Sequence, residues 1–253
     1  MEARAAAGKR MNLEKQLEDF VAQLRRAAGD NLESVLLYGS AASGKFHPQL
    51  SNINLLCILR QTSFVALSAL APAIKSWFDE KHPPPMLLTR EELRRAVDVF
   101  AIEFLDIKEH HQVLFGSSLP DLEIPMDRHR AQVEYELREK LVLLRQRLLL
   151  ALNDDNRLWT LIMQSLPAFT TLFRHALIAL GDAPPKTKAE TLRDMAKRFP
   201  FDSTTFTQLL DLREHPENRK ALDVKDLMAR YLETIQQVTA AVDKILTDPR
   251  RAS

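Results

Sequence analysis

The chain has 253 residues, enough for one large domain or two smaller ones. It is 45% hydrophobic and 27% charged, a composition that excludes a disordered chain and suffices for a sizeable core. With a formal net charge of +1, it has no general electrostatic attraction to nucleic acid or to an anionic membrane.

Residues 1–10 are Ala-rich and lack an apolar run of signal-peptide length, so they are expected to form a disordered leader. Leu13, Leu17, Phe20, Val21 and Leu24 then recur at steps of three and four, one face of a helix that Gly29-Asp30 should cap. Val35-Leu36-Leu37-Tyr38 has the length of a buried strand and stops at Gly39-Ser40. Ile53 to Leu59 is a second apolar strand, and its Cys57 is the sole cysteine. A single cysteine permits no intrachain disulfide and fits a reducing, cytoplasmic setting.

Ser63 can cap a helix carrying Val65, Leu67, Leu70, Ile74 and Trp77. His82 followed by three prolines marks a loop, and Met86-Leu87-Leu88 a short strand. Thr89 to Glu92 has the spacing of a capping box. Val97 to Ile107, centred on Phe100-Ala101-Ile102-Glu103-Phe104, is expected as a third strong strand. Lys108-Glu109-His110-His111 follows it as a solvated turn, because adjacent histidines diverge on a helix and make a poor metal pair.

Beyond Leu119–Pro125 the pattern becomes helical almost throughout. Val133, Leu137, Leu141, Leu144, Leu148 and Leu152 form one stripe, and further leucines beside it widen the apolar face. The apolar segment Leu158–Leu180 is interrupted by Gln164, Ser165, Pro167, Arg174 and His175. It therefore reads as a buried helix rather than a membrane span. Thr187 to Glu190 has capping-box spacing, and helices are expected near 189–198, 203–214 and 224–246. Lys186, Lys188, Arg193, Lys197 and Arg198 read as a solvated basic face, and Arg174-His175 as a partly buried pair satisfied by carboxylates or carbonyls.

The chemistry concentrates at Tyr38-Gly39-Ser40 and Ser51-Asn52-Ile53-Asn54-Leu55. Residues two apart on a strand face the same way, so Asn52 and Asn54 project together at the start of an apolar strand. Gly39 allows a tight turn and a close approach of ligand to backbone. The amides after it, with the Ser40 hydroxyl, can hold phosphate oxygens.

This stretch resembles the core of the DNA polymerase beta-like nucleotidyltransferase superfamily, whose members carry Gly-Ser, a spacer and then Asp-x-Asp on the next strand. Gly39 and Ser40 match the first part. Asn52 and Asn54 occupy the two aspartate positions. Glu103 is the match to the family's third carboxylate, with Asp106 the alternative at opposite strand parity. The resemblance spans about residues 30–115, and the helical second half is similar in layout to helical domains of bacterial small nucleotidyltransferases.

The implied fold class is α+β: a nucleotidyltransferase-like mixed sheet with flanking helices, followed by an all-α helical bundle. The expected boundaries are 11–120 for the first domain, 126–247 for the second and 248–253 for a tail. Active relatives hold two Mg2+ ions on the carboxylates. Magnesium favours anionic oxygen, whereas Asn offers one neutral carbonyl, so the resemblance implies a degenerate metal site with Glu103 as its remaining acid.

Three functions are compatible with the pattern. The first is a nucleotide-binding or regulatory module with impaired catalysis, using Gly39, Ser40, Asn52 and Asn54 against a nucleoside triphosphate. The second is an active enzyme that moves a nucleoside monophosphate to a hydroxyl, with Mg2+ held by Glu103, Asp106 or another acid such as Glu134. The third is structural, with the surplus apolar helical face pairing two copies into a homodimer.

Overall fold

The computed structural model describes residues 2–39, 41–42, 53–119, 121–199 and 202–246. The chain divides into two compact units, Met1–Pro125 and Met126–Ser253.

The first unit is built on a four-stranded mixed sheet. Its strands are β1 (Leu32–Tyr38), β2 (Asn54–Leu59), β3 (Met86–Thr89) and β4 (His111–Gly116), in spatial order β3-β2-β1-β4. β1 runs antiparallel to both β2 and β4, and β2 runs parallel to β3. The helices of this unit are α1 (Glu2–Ala28), α2 (Phe64–Asp79), α3 (Arg90–Arg95) and α4 (Ala101–Glu109).

Strand alternation gives the sheet two apolar faces. Val35, Leu37, Leu55, Cys57 and Leu59 point to one side, where Leu13, Leu17, Phe20 and Leu24 of α1 and Leu70, Ala73 and Trp77 of α2 cover them. Leu36, Leu56 and Ile58 point to the other, against Leu93, Val97, Phe104, Ile107 and Leu122. Burial on both sides explains why the inner strands are continuous apolar runs rather than alternating ones.

Local signals place most boundaries. Ser63 accepts a hydrogen bond from the Ala66 amide at the start of α2. Thr89 and Glu92 form the expected capping box of α3. α1 runs back to Glu2, so the segment read as a disordered leader continues a helix, in keeping with the high helix propensity of its alanines.

The strand predicted over Val97–Ile107 is absent. α3 ends at Arg95, and α4 occupies Ala101–Glu109. Ala101, Phe104 and Ile107 are all fully buried, a spacing of three that fits one helical face. The fourth strand instead lies at His111–Gly116, across the histidines expected in a solvated turn.

In the second unit the helices are α5 (Met126–Ala151), α6 (Asp155–Ala179), α7 (Lys188–Arg198), α8 (Ser203–Glu214) and α9 (Val224–Leu246). On α5, Val133, Leu137, Leu141 and Leu144 are buried as the stripe required. Leu152 lies past its end and is exposed. The outward face of α5 still carries the exposed Tyr135, Val142 and Leu149. An aromatic cluster of Phe169, Phe173, Phe206 and Tyr231 joins α6, α8 and α9, with neighbouring ring centroids 5.1–6.5 Å apart. Tyr231 keeps its hydroxyl 3.0 Å from that of Ser165. Asp154 caps α6 and Thr187 with Glu190 closes a capping box on α7, as the spacing required.

Among the described residues, no helix is long and apolar enough to cross a membrane.

Candidate functional site

The site grows from the end of β1. Tyr38 is the last residue of that strand and is paired on both sides: across from Asn54, the first residue of β2, and across from His111, the first residue of β4. Directly opposed residues in antiparallel strands share a face. Tyr38 packs beside Leu36, Leu56 and Phe104, which puts the row Asn54–Tyr38–His111 on the α4 side of the sheet. All three side chains are half-buried.

Gly39 follows with φ +77°, a left-handed turn that an L side chain adopts at a cost. A methyl group built there would come within 3.2 Å of the Asn54 Nδ2. Gly39 and Asn54, both expected at the site, therefore lie next to each other. Ser40 and Asn52 lie outside the described residues, and their expected place beside Gly39 and Asn54 is not described.

Glu103 is not on a strand. It sits on α4 with Asp106 one turn later, so the two carboxylates share a helix face instead of diverging by strand parity. Both act electrostatically on Tyr38. Burial is the main cause that pushes the Tyr38 hydroxyl up to about 12, and the negative charges of Glu103 and then Asp106 add to it. The strand expected to carry Glu103 is therefore a helix, and the two acids lie on it one turn apart.

His111 was missed as a member. Its Nδ1 lies 2.8 Å from the Ile107 carbonyl oxygen and its Nε2 lies 3.0 Å from the Ser118 Oγ. The signal that could have found it is the run Gln112-Val113-Leu114-Phe115, a β-rich segment directly after the paired histidines.

Other sequence candidates lie on other elements. Glu134 lies on α5 and pairs with Arg138 at 3.2 Å. Arg174 donates to the Pro185 carbonyl, while His175 is fully buried 2.9 Å from His129. Arg193 and Lys197 pair with Asp194, and Arg198 with Asp182, as expected of a solvated basic face. Cys57 is fully buried, and burial pushes its thiol up to about 12, which leaves it protonated and unreactive.

Among the described residues, no group of three or more His, Cys, Asp or Glu side chains is placed to hold a metal ion. Around Tyr38 the described polar side chains include the two carboxylates of α4, the neutral amide of Asn54 and the imidazole of His111.

Comparison with solved structures finds the same fold. The crystal structure of the spectinomycin adenyltransferase AAD(9) from Enterococcus faecialis with ATP and spectinomycin superposes with a TM-score of 0.51, covering 95% of this chain and 99% of that one at 14% identity. A toxin-antitoxin structure with AMP-PNP matches 40% of this chain and 74% of that one at 18% identity, with a TM-score of 0.29. No family model and no curated protein matches the chain. The shared feature is architectural: a mixed sheet with flanking helices, then a helical region.

Proposed function

We propose that the chain is a nucleotidyltransferase-shaped nucleotide-binding or regulatory module whose transfer activity is impaired. The observation that carries this reading is the position of Asn54. It starts β2, opposite Tyr38 and against Gly39, at a place where the family's aspartate would meet a metal. An amide there can hydrogen-bond a phosphate, a ribose or a base, but it brings no negative charge to a cation. Ser40 and Asn52 complete the pocket in this reading. The nucleotide itself comes from the fold likeness to an adenyltransferase whose structure contains ATP. No transfer step runs through magnesium.

An active transferase is the second reading, favoured by the convergence of Glu103 and Asp106 on Tyr38. In it the two carboxylates of α4 would supply the anionic oxygens that Asn54 lacks.

Thermal unfolding with a panel of nucleoside triphosphates, with and without magnesium, separates the two. A binding module is stabilised to the same extent in both conditions, by about 2.7 kcal/mol at a ligand concentration one hundred times Kd. Stabilisation that requires magnesium, with release of pyrophosphate, establishes the transferase instead. No stabilisation by any nucleotide rejects both. The double substitution Asn52→Asp with Asn54→Asp adds two carboxylates at the family positions. It is expected to raise affinity for divalent cations, read by titration calorimetry. Unchanged affinity in a folded double variant would place the pocket elsewhere.

A further inference from the structure

We infer that Ser118 is an activated nucleophile with His111 as its general base, a second reactive group outside the nucleotidyltransferase motif. The argument begins at the Ile107 carbonyl. It is one of the last four carbonyls of α4, which have no amide partner within the helix. The His111 Nδ1 meets it at 2.8 Å. A carbonyl only accepts, so Nδ1 carries a proton, and in the neutral ring Nε2 presents its lone pair. Ser118 Oγ lies 3.0 Å from that nitrogen and donates to it. Nucleophile, base and orienting acceptor are thus in line, the arrangement that activates serine hydroxyls. The orienting role that a carboxylate takes in serine triads falls here to a helix C-terminus.

The loop after β4 is built to hold Ser118 in this place. Gly116 turns the chain with φ +77°, and a methyl group there would sit 2.0 Å from the Glu33 carbonyl oxygen. The fully buried Ser34 hydroxyl donates to the Ser117 carbonyl at 2.9 Å and accepts from the Ser117 amide at 3.1 Å. Arg90 Nη2 donates to the Ser117 hydroxyl at 3.0 Å. The chain is therefore clamped one residue before Ser118, while Ser118 itself is exposed to an incoming reagent.

An activated phosphoryl donor is the probe of this nucleophile. The Ser118 Oγ–P bond forms, the bond from phosphorus to the leaving group breaks, the leaving group departs with the electron pair, and the hydroxyl proton passes to His111 Nε2.

The test uses the full chain and an alkyl fluorophosphonate, from which fluoride leaves. The expected result is a single covalent adduct by intact mass, mapped to Ser118 by peptide sequencing. Ser118→Ala loses that adduct. His111→Gln keeps a hydrogen-bonding amide but cannot take the proton, and should slow labelling by about a hundredfold, the usual worth of a general base. Circular dichroism and thermal unfolding identify which variants remain folded. No adduct at Ser118 in the folded wild type overturns the proposal. So does an adduct formed at the same rate in folded His111→Gln, because His111 would then be only a structural strut.

Discussion

At the scale of single residues, two glycines with the same backbone angle carry different costs. Gly39 and Gly116 both have φ +77°. A β-carbon at Gly39 meets a side-chain amide at 3.2 Å, and Asn54 can swing aside. A β-carbon at Gly116, the last residue of the edge strand β4, meets the Glu33 backbone oxygen at 2.0 Å, which yields only if β1 moves. Gly39→Ala should therefore lose about 1–2 kcal/mol, the penalty of the left-handed conformation alone. Gly116→Ala should lose clearly more, because the clash adds to that penalty. Urea unfolding of both variants measures the difference, and equal midpoints would contradict the close packing of Gly116 on Glu33. Gly39→Ala also displaces the Asn54 amide, so its stabilisation by nucleotides should drop more than that of wild type corrected for the lost stability.

At the scale of elements, the parts legible in the sequence were those with a local chemical signal. Thr89 with Glu92, and Thr187 with Glu190, announced helix starts through capping boxes that both form. The three C-terminal helices fell within a residue of their expected starts and at their expected ends. β1 and β2 were legible because both of their faces are buried, which makes them dense apolar runs. α4 was not, because nine residues with Ile, Phe and Leu interspersed with acids satisfy period two and period 3.6 almost equally. Tertiary packing decided it: Phe104 and Ile107, one turn apart, fill the α4 face of the core together only as a helix. The edge strand then lies at His111–Gly116, and its first residue is one of the two histidines expected in a turn.

The capping boxes offer a direct check on this scale. Thr187 accepts from the Glu190 amide at 3.1 Å, and the Glu190 carboxylate accepts from the Thr187 amide at 3.2 Å. Thr187→Ala removes the first of these and should cost about 1 kcal/mol in urea unfolding. Thr187→Ser retains the hydroxyl and should cost much less. Equal losses in the two variants would mean that packing of the methyl group, not the cap, sets the start of α7.

At the scale of the whole molecule, buried acids in both units point to one pH limit. Burial pushes the Cys57 thiol from 9.0 up to about 12 and is the main cause that takes Tyr38 from 10.0 up to about 12, both in the first unit. Burial also pushes the Tyr231 hydroxyl up, in the second unit, against a partial offset from Ser165. The sign follows from proton counting. Between the unfolded and folded values, the unfolded chain has released protons that the folded chain still holds, so stability falls as pH rises. The contribution of each group is complete below its unfolded value, 9.0 for Cys57 and 10.0 for the tyrosines, and is lost as pH climbs through the folded value. Urea midpoints measured from pH 8 to pH 11 should decline with a slope that steepens above pH 10, where the two tyrosines join the cysteine. Tyr38→Phe removes one of those protons and should flatten the upper part of the decline while leaving the part near pH 9 unchanged. A flat profile in wild type would mean that water reaches these groups in the folded state. A decline of equal steepness in Tyr38→Phe would assign the alkaline limit to Cys57 and Tyr231 alone, and would remove the electrostatic link between Tyr38 and the carboxylates of α4.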